Sequence, residues 1–401
     1  MFCIVKADLN AEFYYPCALN FNDFKILLLM KHLLFVFILF SVSLQAQSPE
    51  AVKSFNEAVK AAKAKKHVDA IRLYTASLKI DPLYVPSYYG RATAKLALKH
   101  YEEATKDFQK CLKLDNTHAK AYYYLAYAQM QEDKDDSAIE NFKSALKYDS
   151  SLSKAHYYMA FIQLQRENYN LAIKDFNAYV KLDPKNKKAF YNLGLCYYKE
   201  NIPALAIEAY SKAIALDSKY DEAIYERAKL YFKTEAFDKC VKDCSSLISL
   251  GKNTANAYNY MANSYLKLDQ QEEALQAFKK LVRLQPDNDK AIQNIAAISI
   301  SIEDYDTAIA QYSSLINKNP ESPAYYKNRS IAYMQLSDWT NALNDLNKLV
   351  ELTPSNGDAF YNRSNVQLQL GDTDKACSDM RQAAQLGFEQ AFQYINGLCN
   401  N

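Results

Sequence analysis

The chain has 401 residues, of which 49% are apolar and 23% charged, and its formal net charge is +2. This composition is ordinary for a water-soluble protein with a large core, and the net charge gives no whole-molecule argument for nucleic-acid binding. The length would suit two or three ordinary domains, but an estimate from length fails for a chain that repeats itself.

The first 47 residues differ in character from the rest of the chain. The basic segment MKH at 30–32 precedes an apolar run, LLFVFILF, at 33–40. A short positive segment, an apolar run of roughly 7–15 residues and a small residue at the cleavage site are typical of a secretory signal peptide. The sequence therefore predicts a signal peptide over 30–46, cleaved before Gln47, and a short linker over 47–50.

Residues 1–29 have no period, and we interpret them as a non-native or disordered N-terminal extension. The signal peptide predicts export to the periplasm or to the outer envelope, with no membrane span left after cleavage. The alternative is an uncleaved signal that anchors the protein in the inner membrane. A membrane span needs about 20 uninterrupted apolar residues, and Lys31 and His32 interrupt this stretch.

From residue 51 to 390 one pattern recurs every 34 residues, ten times, without insertion or deletion. Counted from the first residue of each unit, positions 8 and 20 are small and position 24 is large, as in Ala92, Ala104 and Phe108 of the second unit. Small residues on two helical patterns permit close helix–helix packing, and a closing Pro in several units ends the second helix. The units are 51–84, 85–118, 119–152, 153–186, 187–220, 221–254, 255–288, 289–322, 323–356 and 357–390.

This spacing resembles the tetratricopeptide repeat (TPR) family over residues 51–390, and the resemblance is to an exported bacterial member. It implies an all-α fold, a right-handed superhelical solenoid of ten 34-residue helix-turn-helix repeats, with a concave groove lined by the first helices. The segment EQAFQYINGLC at 389–399 predicts a last helix that covers the open end of the solenoid. We assign the C-terminal capping helix to 391–401.

Residues 121–128 read AYYYLAYA, and three adjacent tyrosines cannot all face the same side of a helix. Positions 4, 7, 8 and 11 of the first helix form the face that packs on the second helix, which predicts Tyr122 as a core residue. Positions 2, 5, 9 and 12 form a second stripe, which lines the groove in the family. Tyr123 lies on that stripe and Tyr124 on a flank. The aromatic candidates of the stripe are Tyr89, Tyr123, Tyr127, Tyr157, Phe161, Tyr191, Tyr198 and Tyr225.

A second interpretation stays open, namely that these tyrosines are packing residues and do not bind a ligand. In the family, aromatic residues at position 5 are common and partly pack against neighbouring repeats. The charges on the stripe favour a binding role. Positions 2, 5, 9, 12 and 13 of the ten repeats hold ten lysines against two acidic residues, Glu222 and Asp358. Lys120, Lys154 and Lys188 occupy first turns, where the helix dipole disfavours a cation by roughly 0.3–1 kcal/mol. Solvated lysine explains any one of them, but their one-sided placement favours a partner with an acidic segment.

The sequence contains no motif of catalysis or metal binding. It has no P-loop, no G-x-G-x-x-G and no G-x-S-x-G, and its histidines are scattered without zinc-site spacing. Cys240 and Cys244 occupy the small and large packing positions of the sixth unit. Some family members clamp a C-terminal carboxylate with Lys, Asn and Arg, but Tyr124 and Tyr158 stand where the arginines belong. We therefore expect no enzyme activity, cofactor, metal or such clamp.

Six cysteines follow the leader. Cys377 begins the second helix of the last repeat, and Cys399 ends the capping segment, which should fold back along that helix. In a compartment that permits disulfides these two residues are predicted to form a bridge. The others are expected to stay buried thiols: Cys111, Cys196, Cys240 and Cys244.

The function predicted from the sequence is that of a scaffold whose concave groove binds an extended or helical segment of another protein, mainly through repeats two to six. The alternative is a structural subunit of a cell-envelope assembly or a self-associating TPR array. An apolar last helix would favour end-to-end assembly, and the polar Glu389, Gln390 and Gln393 argue against it.

Overall fold

A computed structural model describes residues 48–399, and helices form the regular secondary structure of this range. The predicted extension over 1–29 and signal peptide over 30–46 lie outside the described residues. No helix in the range 48–399 is both long and apolar enough to cross a membrane.

The helices follow one another at the period of the sequence. In the second repeat, for example, α3 takes positions 1–13 and α4 positions 17–30. In chain order the helices are α1 (Pro49–Lys63), α2 (His67–Ile80), α3 (Val85–Ala97), α4 (Tyr101–Leu114), α5 (Ala119–Gln131), α6 (Asp135–Tyr148), α7 (Ser153–Gln165), α8 (Tyr169–Leu182), α9 (Lys187–Lys199), α10 (Pro203–Leu216), α11 (Asp221–Lys233), α12 (Phe237–Ser249), α13 (Thr254–Lys267), α14 (Gln271–Leu284), α15 (Asp289–Ser301), α16 (Tyr305–Lys318), α17 (Pro323–Gln335), α18 (Trp339–Leu352), α19 (Gly357–Gln369), α20 (Thr373–Gln385) and α21 (Glu389–Leu398).

The predicted all-α fold of ten helix pairs is confirmed, and α21 follows the tenth pair. The chain divides into two compact units, the first ending at Ala155 and the second beginning at His156. In the first unit the helices α1 to α6 pack each on the next. In the second unit the same holds from α8 to α21.

The turn between the two helices of a repeat has the same backbone geometry throughout. Its residue at position 15 is left-handed, with φ between 56° and 63° at nine non-glycine residues and 82° at Gly371. In the second repeat, the N–H of Lys99 donates to the carbonyl of Leu96 (2.9 Å) and that of His100 to Lys95 (3.0 Å). This pair of hydrogen bonds satisfies carbonyls at the end of the first helix and reverses the chain direction.

The residues that repeat with the period form the core. Ala104 and Phe108 in the first unit, like Ala172 and Phe176 in the second, have no exposed surface. Position 8 requires a small residue because the large side chain of position 24 lies against it. At Gly194 an added Cβ would lie 2.7 Å from the ring of Tyr210, well inside van der Waals contact.

The C-terminal helix is fastened to the last repeat. The pairing expected of Cys377 and Cys399 is present as a disulfide, with the two Cα atoms 5.5 Å apart, within the usual range for a disulfide. The helix begins at Glu389, two residues before the start assigned to the capping segment. The remaining cysteines of the described range are buried free thiols, as expected: Cys111, Cys196, Cys240 and Cys244.

Candidate functional site

The position-5 tyrosines of the first unit pack against the core of their own repeats. The ring centroid of Tyr89 lies 6.0 Å from that of Phe108 and stacks at 4.8 Å on His118. The ring of Tyr123 lies 5.8 Å from Phe142, a fully buried residue at position 24. Both tyrosines are half-buried, so each offers part of its ring to solvent and uses the rest in packing.

The second unit repeats this arrangement. Tyr157 lies 5.9 Å from Phe176 and 5.1 Å from Tyr179, and Tyr191 lies 5.8 Å from Tyr210. Burial raises the pKa of Tyr157 and of Tyr191 above the ordinary value, because the phenolate would lose hydration there. A large part of each ring is therefore used in packing within the repeats, and only the rest is open to a ligand.

The three adjacent tyrosines do not divide into one core, one groove and one flank residue. All three are half-buried. Tyr122, predicted as core, stacks at 5.9 Å on Tyr148, which is 41% exposed. Tyr124, predicted on the flank, stacks at 6.1 Å on the fully buried Phe108. Tyr124 reaches the core through Phe108 of the preceding repeat, a contact that a helical wheel drawn for one helix does not include.

The first-turn lysines of the third, fourth and fifth repeats point into solvent. Lys120, Lys154 and Lys188 each occupy the second residue of a first helix, and all three are exposed. The start of α9 is fixed by Asn186, whose Oδ1 accepts from the N–H groups of Lys188 (3.0 Å) and Ala189 (3.2 Å). This cap satisfies two of the free N–H groups and holds Lys188 at the helix start.

Two other lysines of the stripe are neutralised within the protein. Lys229 Nζ lies 2.8 Å from a carboxylate oxygen of Glu226, and Lys327 Nζ lies 2.6 Å from Asp358. The excess of positive charge counted along the stripe thus overstates the charge available to a ligand. The acidic partner of Lys229 was missed because Glu226 stands at position 6, outside the stripe.

Three repeats of the second unit form an aromatic and cationic cluster on α9, α11 and α13. Lys229 Nζ lies 5.3 Å from the ring centroid of Tyr225 and 5.9 Å from that of Tyr198. Lys233 Nζ approaches the same Tyr198 ring at 5.7 Å. Tyr225 in turn meets Tyr260 of α13 edge-on at 6.3 Å. The structure therefore brings together Tyr198 and Tyr225, two of the predicted site residues.

The two position-9 aromatic candidates differ in exposure. Phe161 on α7 is 36% exposed, whereas Tyr127 on α5 is half-buried. An apolar ring with a third of its surface in water gains free energy when a ligand covers it, at about 25 cal/mol per Å². Phe161 is therefore the predicted aromatic residue best placed to contribute apolar contact area.

A recurrent ion pair between positions 7 and 23 was not predicted from the sequence. In the sixth repeat Arg227 donates to both carboxylate oxygens of Asp243 at 2.8 and 2.7 Å, and its third contact is to Ser211 Oγ of the preceding repeat at 2.8 Å. The same pairing joins Arg91 to Asp107, Arg329 to Asp345 and Arg363 to Asp379. An Arg followed 16 residues later by an Asp is the sequence signal that could have revealed it.

These pairs are structural, because the four aspartates are 3–6% exposed and each guanidinium is shared between two helices. Within residues 48–399 no group of three or more His, Cys, Asp or Glu side chains is arranged to hold a metal ion. The candidate site is thus a surface of aromatic and cationic side chains on the first helices.

Comparisons with known proteins agree on one family. Three family models described as tetratricopeptide repeat match the chain, one at 160–221 and 327–387, one at 255–288 and one at 85–118. No curated protein matches the sequence. Many solved structures do match.

Among the matching structures is the C-terminal part of a TPR repeat-containing protein from Cytophaga hutchinsonii, with 21% identity and a TM-score of 0.50, covering 60% of this chain and 99% of that one. Another is Naa15/Naa10 bound to HypK-THB, with 16% identity and a TM-score of 0.48, covering 84% of this chain and 64% of that one. A third is YrrB, described as a TPR protein with an unusual peptide-binding site, with 21% identity, a TM-score of 0.41, and coverage of 47% and 97%. The first of these likenesses supports the fold, and the period of 34 residues and the matching models identify its repeats. The chain belongs to the tetratricopeptide repeat family.

Proposed function

We propose that this protein is a non-enzymatic scaffold for protein–protein interaction and that the face of its first helices binds an extended or helical segment of a partner. The single observation that carries the proposal is the set of partly exposed aromatic rings and lysines on this face. In the second unit they are Phe161, Lys188, Tyr198, Tyr225 and Lys233. In the first unit a smaller set, Lys120, Tyr123 and Tyr127, has the same composition.

The chemistry of this face favours a partner segment with acidic residues. Aromatic side chains provide large contact areas at a low cost in rotamer entropy, and for this reason they recur at binding hot spots. Exposed lysines attract an acidic segment during encounter and make the association rate sensitive to salt. Lys188 and Lys233 are exposed and supply this charge. The proposed partner is a protein or peptide, since the net charge of +2 gives no argument for nucleic acid. The predicted signal peptide would place this interaction outside the inner membrane.

The test compares two triple variants, each of which truncates one exposed apolar side chain and reverses two lysine charges. Phe161→Ala/Lys188→Glu/Lys233→Glu changes the proposed face. Leu171→Ala/Lys174→Glu/Lys181→Glu makes equivalent changes on the exposed surface of α8, where Leu171 is 52% exposed. The unchanged protein and both variants serve as bait for envelope proteins of the native host, and the captured partner is then titrated against each bait.

We expect the control variant to capture the same partner as the unchanged protein, and the face variant to lose it. Removal of a hot-spot aromatic residue costs about 1–3 kcal/mol of binding free energy, and the two reversed charges should also reduce the dependence of affinity on salt. Equal affinity of all three baits for the captured partner would refute binding at the first-helix face. Circular dichroism checks that both variants remain helical.

A second candidate function, end-to-end association of copies, is favoured by one observation at the C-terminus. On α21 the side chains of Phe392 and Tyr394 are 54% and 46% exposed, although the helix also carries exposed polar residues. Sedimentation velocity of the unchanged protein against Phe392→Ser/Tyr394→Ser distinguishes the two candidates. A concentration-dependent oligomer that the variant loses would support assembly through α21, and a monomer at all concentrations would exclude it.

A further inference from the structure

The seventh repeat contains a recess between α13 and α14 that lies outside the first-helix stripe. Its volume is about 470 Å³, and Tyr258, Met261, Tyr265 and Ala277 contribute to its lining. Met261 stands at position 7 and Ala277 at position 23 of the repeat. These are the two positions that hold the arginine and the aspartate of the buried ion pairs in the second, sixth, ninth and tenth repeats.

The ninth repeat shows what occupies this place when the ion pair is present. The guanidinium carbon of Arg329 lies 6.0 Å from the ring centroid of Tyr326, at position 4, and 5.8 Å from that of Tyr333, at position 11. Its Nε and Nη2 atoms donate to Asp345 at 2.8 and 2.6 Å. In the ninth repeat, the space that corresponds to the recess is therefore filled by a guanidinium, which lies near two tyrosine rings and is bonded to a carboxylate.

The seventh repeat keeps the two tyrosines of this arrangement and lacks the arginine. Tyr258 and Tyr265 occupy positions 4 and 11, and among the ten repeats only the seventh and the ninth have tyrosine at both. The shorter, uncharged side chains of Met261 and Ala277 leave the space beside these rings open as the recess. The remaining packing is intact, because Ala262, Ala274 and Phe278 at positions 8, 20 and 24 are fully buried.

The charges at the recess suit a cation. Glu272 and Glu273 belong to its lining and are exposed, and the only opposing charge of the lining is Lys280, so the sum is −1. Tyrosine faces attract cations, and a planar guanidinium can stack on a ring while it donates hydrogen bonds to a carboxylate. We propose that this recess binds the guanidinium of an arginine side chain supplied by a partner protein, in the place that Arg329 fills from within the ninth repeat. This site does not depend on binding at the first-helix face.

The methyl group of Met261 offers a direct probe. Five methionines follow residue 47, and of these only Met261 lines the recess: Met130, Met159, Met261, Met334 and Met380. The full-length protein, labelled with ¹³C at the methionine methyl groups, is titrated with arginine capped by acetyl and N-methylamide groups. We expect a saturable shift of the Met261 signal alone, with a dissociation constant on the order of 1–10 mM for so small a ligand.

Capped citrulline, which has nearly the same shape without the charge, and capped lysine are the chemical controls. We expect neither to match capped arginine, because citrulline lacks the cation and lysine lacks the planar fork. Glu272→Gln/Glu273→Gln should weaken binding roughly two- to fivefold, as expected for exposed charge pairs. Glu102→Gln/Glu103→Gln, the matched change at positions 18 and 19 of the second repeat, should leave binding unchanged.

A variant that fills the recess from inside gives the sharpest result. Met261→Arg/Ala277→Asp installs the pair of the ninth repeat between Tyr258 and Tyr265, and it should abolish saturation transfer from the protein to capped arginine. Retained transfer in a helical double variant would overturn the proposal. So would a shift of Met261 that capped citrulline or capped lysine reproduces at equal concentration, or the absence of any saturable shift. Should the double variant fail to fold, the Glu272→Gln/Glu273→Gln titration decides alone.

Discussion

The ion pair of the sixth repeat gives a quantitative prediction about stability. Asp243 is 4% exposed and accepts two hydrogen bonds from Arg227, whose side chain is 18% exposed. In Asp243→Ala the guanidinium keeps its contact to Ser211 and loses its counterion. Breaking a buried pair by removing one partner costs about 3–5 kcal/mol. Because water reaches part of the guanidinium, we expect about 3 kcal/mol.

Removing both charges should cost less than removing one. Arg227→Met/Asp243→Ala leaves no uncompensated charge, and the chain already has this combination at Met261 and Ala277 of the seventh repeat. Replacement of a whole buried pair by apolar residues is often neutral, so we expect a loss on the order of 1 kcal/mol from the packing volume. The double variant should therefore be more stable than Asp243→Ala alone.

Hydrogen exchange of the amides in α11 and α12 is the suitable measurement, because a repeat array can open locally and need not unfold in one step. A loss of 3 kcal/mol corresponds to roughly 100-fold faster exchange when reclosing is faster than the chemical exchange step, because the opening equilibrium then sets the rate. Glu208→Ala is the control, since its partner Lys212 and Glu208 itself are more than half exposed and such pairs contribute about 0–1 kcal/mol. Exchange in the double variant as fast as in Asp243→Ala would show that lost volume, and not the unpaired charge, causes the effect.

Three further predictions concern the C-terminus, alkaline pH and processing. Cys377→Ser, or reduction of the Cys377–Cys399 bridge, should free α21 and raise the exchange rate of its amides, while repeats far from it keep their rates. A bridge of this span contributes about 3 kcal/mol by chain entropy. Unchanged exchange in α21 would mean that packing alone holds the helix. Burial raises the pKa of Tyr220 to about 12 and that of Tyr210 further. Between the ordinary tyrosine pKa of 10.0 and these raised values, both side chains stay protonated in the folded protein, whereas they ionise in the unfolded chain. Their contribution to stability is thus full below pH 10 and is lost as the pH rises toward 12, and an absorbance titration at 295 nm should show fewer ionised tyrosines in the folded than in the urea-unfolded protein at pH 11. N-terminal sequencing of the protein from its native host should begin at Gln47, and a mature chain that retains residues 1–29 would contradict the predicted signal peptide.

The period of 34 residues made most of the fold predictable from the sequence. Small residues such as Ala104 and large ones such as Phe108 recur with this period and identify the packing faces of both helices. The disulfide followed from the same argument, since a last helix that folds back brings Cys399 toward Cys377. These features depend on spacing along one chain segment, which a sequence displays directly.

The exposure of the candidate site depends on contacts within and between repeats, which spacing along the sequence does not reveal. The ring of Tyr89 is covered partly by His118 and by Tyr124, 6.2 Å away on the first helix of the next repeat. The charge of Lys327 is neutralised by Asp358, 31 residues later in the next repeat. A helical wheel gives the direction of each side chain, but it cannot give the length and rotamer of the residue that meets it.

The separation of packing residues from pairing residues explains how single repeats can acquire binding sites without loss of the fold. Positions 8, 20 and 24 bury the small and large side chains that hold the helices together, and in the seventh repeat these are Ala262, Ala274 and Phe278, all fully buried. Positions 7 and 23 join the same helices through an ion pair in some repeats and are apolar in others. A change from Arg and Asp to Met and Ala therefore removes an ion pair. Because both charges are removed together, the loss of folding free energy is small. The change also opens a recess beside two tyrosines that remain in place. Since the packing set does not change, such a site leaves the period intact, and it becomes visible only when each repeat is compared with the others at positions 4, 7, 11 and 23.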